Sequence, residues 1–162
     1  MQGCARLCDA AGPSACVVVP YYLADKETMR HAQKTADEAR ASALRSVLRE
    51  LNSSSDDIEA SACISSDGYT MAAVLGQGVD ADRFGAMCAS LLALAHRAAQ
   101  EIQRGNLKLV LVEGEQGVML LVQAGSDAIL AVAAKPGKNL GMIFLDARKV
   151  AQKLVGVLES HK

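Results

Sequence analysis

Two serines, an acid and a tyrosine lie together in the segment ISSDGYTMAAVL, residues 64–75. A serine nucleophile needs a histidine base and an acid that orients the base, and Ser66, His96 and an aspartate supply those residue types. The sequence lacks the G-x-S-x-G turn that presents such a serine. Asp67-Gly68 between two strand-like runs is instead a strong hairpin signal, which predicts a type I′ turn with positive φ at both central residues. The sequence therefore favours a turn over a reactive loop.

Phosphate and metal sites are poorly supported by the motifs. Gly137-Lys138 is not a P-loop, because Val132 and Asn139 stand where the first glycine and the hydroxyl residue are needed. GQGVDA lacks the third glycine of a dinucleotide-binding turn. The histidines are scattered, and Cys4 and Cys8 form only half of a metal-ligand pattern. We expect no cofactor, no metal and no catalytic residue.

The composition argues against several classes of partner. The chain has 162 residues, of which 17 are basic and 18 acidic, so its net charge of −1 gives no general field toward nucleic acid or anionic membrane. No apolar run approaches the roughly 18 residues that span a bilayer. Five cysteines are an odd number, and Cys63 and Cys88 fit reduced, buried thiols. We expect a cytoplasmic protein that neither binds nucleic acid nor inserts into a membrane.

The spacing of apolar residues predicts eight elements from Met29 onward. They are a helix over 29–51, strands over 58–65 and 69–75, a helix capped by Asp80 or Asp82 and running to about residue 105, strands over 107–113, 118–123 and 128–134, and a last helix capped by Asn139. Both alternating sets of residues in the later strands are apolar, so helices should cover both sheet faces. The predicted fold is α/β (α+β): a three-layer α/β/α sandwich around a five-stranded antiparallel sheet, in the order α-β-β-α-β-β-β-α.

Residues 1–28 differ from the rest of the chain. They show no sustained periodicity and hold two of the three prolines. As a secretory signal they fail, because their longest fully apolar run, residues 15–19, is shorter than an h-region. We expect a flexible N-terminal extension, an expression tag or the product of a start codon assigned too early, ahead of one domain over residues 29–160.

The predicted middle helix is apolar over a wide arc. On a helical wheel its large apolar residues cover roughly 160°, more than the roughly 100° that faces one core, so the helix should have a second neighbour. Small residues on the far side, Ala86, Ala89, Ser90 and Ala93, would let another helix approach closely. The following strand, LKLVLVE, would invite another strand if it lies at the sheet edge. Three arginines lie on or just past this helix: Arg83, Arg97 and Arg104. They are suited to binding an acidic partner or a phosphate, and the alternative is that they form an ordinary solvated helix face.

With these elements in this order, residues 29–158 resemble the Roadblock, or dynein light chain, family, and especially its bacterial branch that partners Ras-like small GTPases in cell polarity. The resemblance lies in DIEASACISSDGYTMAAVL, GNLKLVLVEGEQG and LGMIFLDARKVAQKLVGVL. It implies a Roadblock/profilin-like fold and a homodimer in which the middle helices pack together and the first strands of two meanders join. The implied dimer interface contains Ala86, Ala89, Ser90, Ala93, Leu94, Arg97, Leu107, Leu109, Leu111 and Glu113.

The same resemblance implies a function without an active site. It predicts a non-catalytic homodimeric regulator or scaffold that binds a Ras-like small GTPase and modulates its nucleotide cycle, with the GTPase-activating type favoured. Arg83 and Arg104 are the candidate GTPase contacts. The alternative is a structural adaptor that assembles a signalling or motility complex regardless of nucleotide state.

Overall fold

A computed structural model describes residues 21–137 and 140–160, with side chains from residue 34 onward. The elements are α1 (Tyr21–Ser54), β1 (Ile58–Ser65), β2 (Thr70–Val74), α2 (Ala81–Glu101), β3 (Leu109–Gly114), β4 (Gly117–Ala124), β5 (Ala128–Ala134) and α3 (Leu140–Ser160). The chain divides within α1, after Thr35, into two units. The fold described below is that of the second unit, in which none of the described helices has the length and apolar content of a membrane span.

The five strands form one sheet in the order β2-β1-β5-β4-β3, with every neighbouring pair antiparallel. Strands β3, β4 and β5 follow one another through short turns, and the Gly114–Gly117 pair closes the first of these turns. Strands β2 and β3 lie at the two edges. The predicted five-stranded antiparallel sheet is confirmed, and the edge position of β3 meets the condition for pairing with another strand.

Helices cover both faces of this sheet because successive strand residues point to opposite sides. On one face, Leu48 of α1 and Leu154 of α3 pack into a core that includes Leu120 and Leu130. On the other face, Cys88 of α2 packs into a second cluster. The strand residues of that second cluster are Ala62, Ile64, Leu121, Ile129 and Ala131. The predicted three-layer sandwich is therefore confirmed, with α2 alone on its side among the described elements.

Helix α1 begins at Tyr21 rather than at the predicted Met29. The prediction relied on an apolar stripe, but Leu23, Ala24 and Glu27 are good helix formers, and a helix can continue on backbone propensity without such a stripe. Residues 1–20 of the predicted extension and the predicted cap Asn139 lie outside the described residues. The assignment of residues 1–28 as an extension stays a prediction.

The first hairpin differs from the predicted type I′ turn. Gly68 has a φ of 89°, whereas Asp67 is not among the residues with positive φ. The Gly68 amide donates to the Ser65 carbonyl at 2.9 Å, and the Ser65 amide donates to the Tyr69 carbonyl at 2.8 Å. This is a three-residue loop in which a left-handed residue follows a type I turn, and it needs only one residue with positive φ. The turn was correctly located, but its type was wrong.

Candidate functional site

Helix α2 is fixed at its start by a capping residue. The Asp80 carboxylate accepts hydrogen bonds from the amides of Asp82 at 3.0 Å and Arg83 at 3.1 Å. These contacts satisfy two amides that have no partner within the helix. At the other end the chain turns away at Gln103, which has a φ of 56°. Of the two predicted caps, Asp80 and Asp82, Asp80 is the one that caps the helix.

The first turns of α2 lie against the first hairpin. The Thr70 hydroxyl donates to the Ala81 carbonyl at 2.8 Å, and buried Gly85 faces the backbone of Gly68. These contacts hold the helix at a set height above the strands. They also determine which side of α2 has no neighbour among the described residues.

The wide apolar arc of α2 divides between the sheet and solvent. Cys88 is buried and Leu92 packs beside it, whereas Met87 and Leu94 are 61% and 63% exposed. Leu91 lies between these two sets. Met87, Leu91 and Leu94 border an open groove of about 560 Å³, together with Met119 of β4. Half of the apolar arc thus has no partner among the described residues.

This apolar surface continues onto the edge of the sheet. Val112 of β3 is 39% exposed and is paired with Met119, and Val110 packs on the α2 side. We call this the α2–β3 surface, made of Met87, Leu91, Leu94, Val110, Val112 and Met119. Burying a large apolar side chain contributes about 1.5–3 kcal/mol, and the outer edge of β3 offers unpaired backbone groups. Such a combination is typical of a protein-binding surface.

The predicted interface residues lie along α2 and at β3, but those of β3 alternate with Val110 and Val112 and therefore point to the opposite sheet face. Ala86, Ser90, Ala93, Leu94 and Arg97 of α2 are exposed, as are Leu111 and Glu113 of β3, and Leu107 lies half-buried just before β3. Ala89 and Leu109 face inward instead: Ala89 packs against the α2-side cluster and Leu109 against the α3-side core. The expected far-side position of Ala89 is wrong because, at about 100° per residue, Ala89 shares a side with Gly85 and Leu92.

Sequence reasoning omitted five members of the α2–β3 surface from the predicted interface: Met87, Leu91, Val110, Val112 and Met119. Met87 and Leu91 accompany Leu94 at positions i, i+4 and i+7, which is one stripe of a helix. Val112 and Met119 face each other because the Gly114–Gly117 pair fixes the register of β3 and β4. Both signals are present in the sequence, since GEQG marks the turn from which the register can be counted.

The two candidate GTPase contacts lie at opposite ends of α2. Arg83 is in the first turn and borders the groove beside Met87. Arg104 follows the helix, and its amide donates to the Ala99 carbonyl at 2.8 Å. At about 1.5 Å per residue, the part of α2 from Arg83 to its end at Glu101 alone spans about 27 Å. The two arginines do not form one site within a single chain.

Among the described residues, no hydrogen bond joins the candidate nucleophile Ser66 to a histidine base such as His96. The Ser66 amide donates to the Asp127 carbonyl at 3.0 Å. Cys63 and Cys88 are free and buried. Burial raises the pKa of the Cys63 thiol to about 12, an effect that nearby Arg40 partly offsets, and raises that of Cys88 to about 11. Within the described ranges, no cluster of three His, Cys, Asp or Glu side chains is placed to hold a metal.

Comparison with known proteins identifies the family. The sequence model of the family described as the Roadblock/LC7 domain matches residues 39–134, which is more than half of the chain. The chain belongs to the Roadblock/LC7 family. An uncharacterized protein of Methanocaldococcus jannaschii, MJ1340, is 38% identical over 108 residues, covering 67% of this chain and 93% of the relative. This relative is archaeal, whereas the sequence motifs resemble the bacterial branch.

Solved structures share the fold of this Roadblock domain. MglB with a tetrameric arrangement superposes with a TM-score of 0.68 at 19% identity, over 76% of this chain and 93% of the other. The gliding protein MglB from Thermus thermophilus gives a TM-score of 0.66 at 17% identity, over 75% and 93% of the two chains. At this level of identity the likeness shows the fold, a Roadblock/profilin-like arrangement of five strands and three helices.

Proposed function

We propose that this Roadblock protein is a homodimeric, non-catalytic regulator or scaffold that binds a Ras-like small GTPase and modulates its nucleotide cycle, most simply by promoting GTP hydrolysis. The observation that carries the proposal is the α2–β3 surface, in which exposed Met87 and Leu94 adjoin an unpaired strand edge. The GTPase partner is inferred from the resemblance of the chain's motifs to the family branch that partners Ras-like GTPases, and the fold that this chain shares with MglB is consistent with that branch.

Dimerisation through the α2–β3 surface would use both of its parts at once. Closed two-fold pairing of identical edge strands sets them antiparallel and joins two sheets into one. The same axis sets the two α2 helices side by side in opposite directions. Exposed Met87 and Leu94 would then be buried between helices, and small Ala86 and Ala93 would permit a close approach.

The dimer would also bring the candidate GTPase contacts together. Antiparallel α2 helices place Arg83 of one copy toward Arg104 of the other. Each end of the helix pair would then carry two arginines, one from each copy, whereas in a single chain these arginines lie at opposite ends of the helix. A guanidinium binds carboxylates and phosphates through several donors. These ends are suited to an acidic surface or the phosphates of a GTPase partner.

A turnover assay tests the proposal. A Ras-like GTPase from the same genome is loaded with GTP, and phosphate release in a single turnover is followed with and without this protein. We expect faster release with wild-type protein, loss of the effect with Leu94→Asp, and a weaker effect with Arg83→Glu combined with Arg104→Glu. Absence of both binding and any rate change across the candidate GTPases would exclude the regulatory function.

An adaptor function is the second candidate, because a separate exposed surface lies on α3. Met142 and Leu145 are 59% and 54% exposed on the helix that covers the opposite face of the sheet from α2. A protein with two such surfaces could join two partners. An adaptor would bind a GTPase with equal affinity in the GDP state and in the state loaded with a non-hydrolysable GTP analogue, whereas a regulator would distinguish the two states.

A further inference from the structure

Opposite charges stand at the two ends of the free edge strand. Lys108 immediately precedes β3, while Glu113 and Glu115 stand at its end and in the turn that follows. All three side chains are exposed. Neither of the ion pairs between described residues involves them. Five residues of extended chain separate Lys108 from Glu113 by about 17 Å, so one β3 strand cannot pair its own two ends.

A second cation lies beside Lys108. Lys108 of the β3 start and Arg148 of α3 border a groove of about 460 Å³. The polar residues on its other sides are Gln123 and Gln152, and none of the described residues that line the groove is a carboxylate. This groove opens where β3 begins, next to the edge that the proposed dimer would use. It therefore offers two cations and two amides to an acidic group approaching along that edge.

We propose that the acidic group comes from a second copy of this chain: Lys108 and Arg148 of one protomer bind Glu113 and Glu115 of the other, in both directions across the two-fold axis. This inference rests on the homodimer proposed above and adds the contacts that select its partner. Antiparallel pairing of two β3 strands brings the basic start of each strand to the acidic end of the other. Parallel pairing would place carboxylates beside carboxylates, which is destabilising.

Symmetry also restricts the register of the two strands. Residues opposite each other in an antiparallel pair share a sheet face, and a two-fold axis perpendicular to the sheet keeps each residue on the same face in both copies. Two residues that lie opposite each other therefore differ by an even number of positions. The residue midway between them must lie opposite its own copy. A self-pair at Leu111 sets Val110 opposite Val112 on the α2 side. It also sets Glu113 opposite Leu109, which packs on the α3 side. Glu113 then lies on the sheet face that carries Arg148. It is also one residue away from Lys108 of the opposite strand.

Charges at a strand edge have another known use, which makes an opposite prediction. Charged side chains on an edge strand often prevent unwanted pairing with other chains. If Lys108 and Arg148 only protected the edge, neutralising them would strengthen self-association. If they bind carboxylates of a second copy, neutralising them weakens it.

Charge exchange between two variants tests the contact. Lys108→Glu with Arg148→Glu forms one variant, and Glu113→Lys with Glu115→Lys forms the other. Each variant opposes like charges in its own homodimer, whereas a one-to-one mixture restores every opposite-charge pair. Exposed ion pairs contribute modestly, but each contact occurs twice by symmetry. We expect the dimer Kd to rise about tenfold for Lys108→Gln with Arg148→Gln and about a hundredfold for each charge reversal.

Sedimentation equilibrium at low salt measures these dissociation constants, and circular dichroism checks that each variant is folded. The mixture should form a heterodimer with a Kd within about tenfold of wild type, and high salt should weaken that heterodimer and the wild-type dimer alike. A monomeric wild-type protein would overturn the proposed homodimer itself. A wild-type dimer whose charge-reversed variants associate equally well, or whose neutral variant associates more tightly, would overturn the charge contact and leave the homodimer standing.

Discussion

Gly85 of α2 lies directly against Gly68 of the first hairpin: a Cβ atom on Gly85 would stand 2.6 Å from the Gly68 carbonyl oxygen and equally close to the Thr70 hydroxyl. One of those atoms is backbone, so the clash cannot be relieved by a side-chain rotation. We expect Gly85→Ala to lower the free energy of unfolding by about 1–3 kcal/mol, the usual cost of overpacking. Urea denaturation at one fixed protein concentration measures the change.

Gly156 of α3 is the matched control for Gly85. It also lies in a helix, but a Cβ there would meet no atom of the described residues within 4 Å. Gly156→Ala should therefore raise the stability by about 0.5–1 kcal/mol through helix propensity alone. If both substitutions changed the stability in the same direction, the close contact between α2 and the hairpin would not be what requires glycine at position 85.

Substituting exposed apolar residues of α2 and α3 one at a time shows which helix forms the dimer contact. Leu94→Asp should yield monomer, because a carboxylate buried in the α2–β3 interface loses its hydration without a partner. Met142 of α3 has a similar exposure, 59% against 63% for Leu94, and Met142→Asp should leave the dimer intact. Light scattering after gel filtration gives the mass of each variant. A dimer that survives Leu94→Asp but not Met142→Asp would move the interface to α3.

Some elements could be predicted to the residue. The bounds of β1 and β5 agree with the prediction, because each is a short strand-like run closed by turn residues. The Asp80 cap follows from the preference for a carboxylate ahead of the first free helix amides. The covering of both sheet faces follows from Leu120 and Leu121 both being apolar, although they point to opposite sides.

Other features depend on tertiary contacts that a sequence does not display. A helical wheel gives the angle between Ala89 and Leu94 but not which direction the sheet takes, so Ala89 was assigned to the wrong side. The Asp67-Gly68 pair is compatible with several hairpin loops, and the pairing of Ser65 with Tyr69 selects the three-residue one. The edge position of β3 follows from the order of the strands, which adjacency along the chain does not determine.

The Cys63 thiol should make stability depend on alkaline pH. Burial raises its pKa from 9.0 to about 12, so between these values the unfolded chain loses a proton that the folded chain keeps. The contribution is fully present below pH 9 and is lost as the pH rises toward 12, by about 1 kcal/mol per pH unit. Urea denaturation at pH 8 and pH 10 measures this loss. Cys63→Ala should lower stability at both pH values and show a smaller loss between them; an equal loss in both proteins would mean that other groups cause it.

Leu111 offers a direct test of strand register, because the proposed two-fold axis passes between Leu111 and its copy. Opposite residues of antiparallel strands have Cα atoms about 4.5–5.5 Å apart, a separation that a disulfide can join. In a background with Cys4, Cys8 and Cys16 changed to serine, Leu111→Cys should give a cross-linked dimer under mild oxidation, seen on a non-reducing gel. Val112→Cys, one residue along and on the other face, should cross-link poorly. Efficient linking of Val112→Cys instead would place the axis at the next residue, and failure of both in a protein that sediments as a dimer would overturn an axis at Leu111.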